Sequence, residues 1–217
     1  MNARRTGSRH TTWFCKVAVV LLLCTTEYFP VATGAAEPDT QSPTATVQGL
    51  CDVLLQAMKK GSALDFAGRV RLLDPTLRRL YDLPLLTRLV IGPPWRGLSP
   101  EDQQALVTAF SDYSIAVYAS RFKSYNNERF VVDPTLNKTP SGDAIVPSKL
   151  IPGSGEPVQL NYLLRQEPSG WHIIDVLLNG TISEMAERRS EYASTLRDGG
   201  ATALVQLLRQ KTEQLQK

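Results

Sequence analysis

The spacing of apolar residues changes twice along the chain, from helical to alternating and back to helical. Val47, Leu50, Cys51, Leu54, Leu55 and Met58 recur three and four residues apart. They predict a helix over about 46–60, which Gly61 closes. Ser62 with Asp65 three residues on reads as a cap for a second helix through about Leu73. Asp74-Pro75 predicts the restart of a short helix. Leu83 to Ile91 gives another, ended by Gly92-Pro93-Pro94. Ser99-Pro100-Glu101-Asp102 is the clearest start signal: Ser99 caps, Pro100 fits the first turn, and the acids favour the positive helix end. The helix it opens runs to about Tyr125, roughly 40 Å at a rise of about 1.5 Å per residue. Leu106, Phe110, Tyr113, Val117 and Tyr118 share its broad apolar face.

Alternation then takes over. Residues 129–133, 143–151, 158–165 and 171–178 read as strands, separated by Pro140-Ser141-Gly142-Asp143, Pro152-Gly153-Ser154-Gly155 and Pro168-Ser169-Gly170. Loops this short between consecutive strands predict an antiparallel meander. Val158, Leu160, Tyr162 and Leu164 form one apolar face of the third strand. In the fourth, Ile173, Val176 and Leu178 compete with Ile174 and Leu177, which predicts cover on both faces. Helical spacing returns with Ile182, Met185, Ala186, Arg189, Tyr192, Ala193 and Leu196; Gly199-Gly200 stops that helix, and a last one spans about 201–216. The fold class is therefore α+β: a curved antiparallel four-stranded meander with helices packed on its concave side. No internal repeat is visible.

The N-terminus carries a different pattern. Arg4, Arg5, Arg9 and Lys16 precede the wholly apolar Val17–Cys24 run, and Gly34-Ala35-Ala36 offers small residues ahead of Glu37. This is the layout of a secretory signal peptide over 1–36, and the apolar run is short of the roughly 20 residues of a membrane span. An uncleaved anchor is the competing reading. A lipoprotein cut before Cys24 is disfavoured by the bulky Leu23. Residues 37–46 are polar and rich in Pro, Ser and Thr, a flexible lead-in to a domain over 47–217. With 42% hydrophobic residues the chain can build a core. The formal charge of +3 resides in the leader: residues 1–36 hold four of the 24 Lys and Arg and one of the 21 Asp and Glu, so the remainder is neutral. A neutral chain argues against a nucleic-acid partner. Cys15 and Cys24 leave with the leader; Cys51, between Leu50 and Leu54, reads as a buried apolar residue.

Little in the chain suggests catalysis. His172 is the one histidine beyond the leader, so the usual zinc ligand sets and a Ser-His-Asp triad have too few members. No glycine-rich phosphate cradle is present. Asp175 interrupts an apolar strand. It reads either as a general base in a pocket, paired with His172, or as a structural anchor for the next helix, partnered by an arginine such as Arg188 or Arg189. Asn179-Gly180-Thr181 fits a glycosylation acceptor but reads more simply as a strand-ending turn that caps the next helix.

The blocks Trp171-His172-Ile173-Ile174-Asp175-Val176, Asn179-Gly180-Thr181-Ile182-Ser183, Arg188-Arg189-Ser190-Glu191-Tyr192-Ala193 and Leu196-Arg197-Asp198-Gly199-Gly200 resemble the MlaC family, also known as the toluene-tolerance family. So do Leu89-Val90-Ile91-Gly92-Pro93-Pro94-Trp95, Leu98-Ser99-Pro100-Glu101-Asp102-Gln103 and Val117-Tyr118-Ala119-Ser120-Arg121-Phe122 in the first half. Tyr81-Asp82-Leu83-Pro84, Tyr118-Ala119-Ser120-Arg121-Phe122 and Asn179-Gly180-Thr181-Ile182-Ser183 are similar, more narrowly, to the hopanoid-biosynthesis-associated HpnM branch. The resemblance spans about 47–210. It implies a cone resembling nuclear transport factors with an added helical subdomain, and a periplasmic carrier without cofactor or metal. Such a carrier would pass phospholipid, or a hopanoid-type lipid, between an inner-membrane ABC transporter complex and an outer-membrane lipoprotein complex.

On that reading, Phe110, Tyr113, Val117, Tyr118, Leu160, Tyr162, Ile173, Val176 and Ile182 are the expected cavity lining, with Arg121 or Lys149 near a head group. Ordinary core packing explains each apolar residue equally well, because pattern does not separate a lined hollow from a filled core. An enzyme using Asp175 and His172, and a ligand-free structural adaptor of the transporter, are the alternatives.

Overall fold

A computed structural model describes residues 42–216. The predicted signal peptide and the first part of the lead-in lie outside these residues. Helix α1 spans Pro43–Lys60 and starts three residues earlier than its apolar repeat suggests. The Ser42 hydroxyl accepts from the Ala45 amide, Pro43 occupies the first turn, and Thr46 is buried, so the lead-in is shorter than expected. A single turn at Gly61–Ala63 leads to α2, Phe66–Leu80. Its cap is Asp65, whose carboxylate accepts from the Gly68 amide at 2.6 Å. Pro75 lies inside α2 and does not restart it. The missing N–H costs one helical hydrogen bond, but Leu73, Leu77 and Leu80 are buried along one face and carry the helix through. Helix α3 covers Leu83–Ile91, as predicted. Helix α4 covers Pro100–Arg121, capped by Ser99, and ends four residues short of Tyr125.

The meander is present but contains six strands: β1 (Arg129–Val132), β2 (Asn137–Lys138), β3 (Ala144–Ile151), β4 (Val158–Glu167), β5 (Gly170–Leu178) and β6 (Ile182–Ser183). Their spatial order is β1-β3-β4-β5-β6, and β2 also pairs with β3. The extra strands have local causes. β1 and β2 lie along the same neighbour, interrupted after Val132 by Asp133-Pro134, where proline has no amide to donate. β6 is a two-residue return along β5 through a turn in which Asn179 and Gly180 both take positive φ.

The two-sided apolar pattern of β5 comes from a bulge. Leu163 faces Asp175 while Leu164 faces Ile173, so Ile174 is an extra residue. The inward positions shift from Ile173 to Val176 and Leu178, so apolar residues fall on both parities of the strand. At the end of the β3–β4 hairpin, Gly153 lies so close to the Asn126 carbonyl that an added Cβ would sit 1.8 Å from the oxygen. This hairpin is therefore held against the loop that follows α4.

Helix α5 runs Glu184–Gln214 with a break at Gly200, where φ is 64° and ψ −163°. The predicted stop at Gly199-Gly200 is thus a kink between two helical halves. α1 packs on β1, β3 and β5, and α5 packs on α3, α4 and β5. Leu50, Leu54, Leu73, Leu80, Leu106, Leu164, Ile173 and Leu204 are completely buried in the shared core, each worth roughly 1.5–3 kcal/mol of transfer free energy. Cys51 sits in it with a thiol that burial, then the nearby Asp52 charge, pushes up to about 12.

Candidate functional site

The core does not close completely. Between α2, α3, α4, β4, β5 and the start of α5 lies a hollow of about 840 Å³, measured out to its open mouth. The centre of a water molecule can roam only about 90 Å³ of it, so the walls stand close together and the space is a slot. Leu77, Leu83 and Leu86 line it from α2 and α3; Phe110, Ile115, Val117 and Tyr118, with Phe122 just beyond, line it from α4. Leu160, Tyr162, Val176 and Leu178 come from the sheet, and Met185 from α5. β4 presents Leu160 and Tyr162 on the same side because strand side chains alternate.

Of the nine residues expected at the lining, Phe110, Val117, Tyr118, Leu160, Tyr162 and Val176 meet in this hollow. Three do not. Tyr113 is buried elsewhere: its hydroxyl accepts from Arg188 at 3.1 Å, and the guanidinium lies 5.1 Å from its ring centroid. Ile173 is wholly buried in solid core, bridging Tyr81. Ile182 is 44% exposed, since the chain passes through β6 before α5 begins and this side chain never joins the helix face.

The polar groups at the hollow are few. Tyr81 and Tyr118 share a hydrogen bond between their hydroxyls. Burial, above all, raises the pKa of Tyr81, Tyr118 and Tyr162, and the carboxylate of Glu184 adds to the shift in each. All three remain protonated at any physiological pH. Arg121, with a side chain 60% exposed, marks where the hollow meets solvent and pairs with Glu184 at 3.2 Å. Lys149 is exposed on β3 and is not among the lining residues. Burial opposes the charge on Arg188, but the hydroxyls of Tyr192 and Tyr113 more than offset it, and its pKa is raised.

Asp175 borders the hollow and has no arginine partner among the described residues. Its carboxylate accepts from the Val176 amide (2.7 Å), the Ser183 hydroxyl (2.6 Å) and the Met185 amide (3.3 Å). It thereby fastens the start of α5, whose cap is Ser183 rather than the Asn179-Gly180-Thr181 turn. Arg189 instead donates to the Leu89 carbonyl. His172 bonds the Ser169 hydroxyl at 2.7 Å in the β4–β5 turn. It does not line the hollow, so the acid/base pair weighed from sequence is not assembled there. Among the described residues no cluster of three His, Cys, Asp or Glu could hold a metal ion, and no helix is long and apolar enough to cross a membrane.

Sequence reasoning missed Tyr81, Leu86, Phe122, Glu184 and Met185. Tyr81 had no periodic signal because it lies between two helices. It is placed by a bridge to Ile173 and by the Asp82 amide donating to the Ile173 carbonyl at 3.2 Å. Phe122 caps α4, where its ring stacks on Tyr118 at 5.8 Å between centroids.

The chain is similar to a solved phospholipid-binding protein from Ralstonia solanacearum, determined in complex with a phospholipid. The two are 27% identical, the match covers 82% of this chain and 99% of the other, and the TM-score is 0.70. Residues 48–210 match the model of the MlaC protein family. With three-quarters of its length matched in sequence and the same fold in three dimensions, this chain belongs to the MlaC family.

Proposed function

We propose that the protein is a periplasmic lipid carrier that encloses phospholipid tails in the slot between sheet and helices. It takes lipid from an inner-membrane ABC transporter complex to an outer-membrane lipoprotein complex, or the reverse. A hopanoid or other isoprenoid is the second choice of cargo. The observation that carries this reading is the apolar slot itself, walled by Leu77, Leu86, Phe110, Val117, Leu160 and Val176. Each CH₂ withdrawn from water is worth about 0.8 kcal/mol, so ten enclosed methylenes supply roughly 8 kcal/mol before the cost of ordering the chain is set against them. Shape and dryness suffice, and no reactive group is required. The relative solved with a phospholipid supports the same choice of ligand.

Mass spectrometry of an organic extract of the purified protein tests the proposal. It should show phospholipid in near-stoichiometric amount; a lipid-free protein would refute the carrier reading and favour the adaptor. Val117→Trp places an indole in the slot. It should lower lipid occupancy by more than about half while the cooperative unfolding transition survives, because adding volume to a packed wall costs of order 1–3 kcal/mol.

A further inference from the structure

The wall of the slot is mostly apolar, and its charged members Arg121, Asp175, Glu184 and Arg188 already have partners. Three tyrosines from three separate elements converge there: Tyr81 after α2, Tyr118 on α4 and Tyr162 on β4. All three line the same hollow, and the rings of Tyr81 and Tyr118 lie 5.9 Å apart between centroids. Tyr162 is only 2% exposed, and among the described residues no group accepts its proton. Tyr81 and Tyr118 bond each other. A pair of hydroxyls holds two protons and uses one between them, so a second remains to be donated. The wall therefore offers two unclaimed O–H donors inside a mostly apolar space.

The surroundings say what kind of acceptor fits. A phosphate is unsuitable: the carboxylate of Glu184 is near enough to act on all three tyrosines, and Arg121 is already paired with that carboxylate. Arg188 is held by the hydroxyls of Tyr113 and Tyr192. A bare hydrocarbon skeleton is also a poor match, since it would leave both protons dry. A neutral carbonyl oxygen accepts without adding charge.

We propose that Tyr81, Tyr118 and Tyr162 form a station for the ester carbonyls of an acyl glycerolipid, so that the slot recognises the linkage as well as the tail. This rests on the carrier reading above and narrows its cargo to ester lipids ahead of hopanoid-type hydrocarbons.

The test is a competition between two phosphatidylcholine analogues of equal chain length, dipalmitoyl (ester-linked) and dihexadecyl (ether-linked). The protein is stripped of lipid, equilibrated with equal amounts of both, and the retained lipid is quantified by mass spectrometry. Wild type should retain the ester form over the ether form by about tenfold, the ratio expected for one to two neutral hydrogen bonds. In Tyr162→Phe and Tyr118→Phe the ratio should fall towards about twofold. The ratio is the readout because general loosening of the wall affects both lipids alike. Equal retention by wild type overturns the proposal, and so does a preference that survives both substitutions. If Tyr118→Phe does not fold, the wild-type ratio and Tyr162→Phe still decide. Retention of neither lipid would fell the carrier reading itself, and this inference with it.

Discussion

Before Gly200, α5 buries one side chain, Tyr192, and is tied down by polar contacts: Asp175 and Ser183 at its start, Arg189 on the Leu89 carbonyl, and Lys211 reaching back to Glu191 at 2.5 Å. After Gly200, Ala201, Leu204, Val205 and Leu208 are all buried. One half is latched and the other is rooted. Apolar burial gives the rooted half a large, non-directional free energy, whereas each exposed hydrogen bond nets only about 0.5–1.5 kcal/mol. The latched half carries Glu184, Met185 and Arg188 at the slot. The part of the helix that borders the slot is the part held by contacts that exchange readily with water.

Three substitutions probe that contrast. Leu204→Ala should have the largest effect, about 2–5 kcal/mol of lost stability, read from the denaturant midpoint, because it empties a fully buried site in the rooted half. A loss below about 1 kcal/mol would erase the distinction. Gly200→Ala comes next. Its φ of 64° with ψ of −163° is open essentially to glycine alone, and forcing alanine there should cost about 1–3 kcal/mol. A neutral result in thermal unfolding would mean the kink relaxes without cost. Asp175→Asn is the smallest, about 1 kcal/mol globally, since the amide oxygen can still accept some of the three bonds. It should nevertheless quicken hydrogen exchange at residues 184–199 well beyond any change at 201–214. Equal quickening in both halves would show that α5 moves as one piece.

The helices and the meander were legible because period and cap chemistry are local properties. Leu83–Ile91 and the Ser99 cap could be read from a few residues each. What escaped depended on partners distant in sequence. The bulge that shifts β5 is visible only against β4, and Pro75 inside α2 survives only through the burial of Leu73, Leu77 and Leu80. The slot was half legible for the same reason. Val117 and Leu160 border empty space, while Ile173 touches solid core, yet all three are apolar residues in regular elements. Side-chain chemistry states what a position tolerates; emptiness is a property of how the elements fail to meet. Tyr81 gave no periodic signal at all, and only its place between α2 and β5 brings it to the wall.

Cys51 offers a practical handle on these motions. Its thiol is enclosed by core and, at neutral pH, carries almost no thiolate. An alkylating dye can react with it only when α1 lifts from the sheet or the whole domain opens. The rate at which the native molecule takes up such a dye is therefore a built-in clock for large openings.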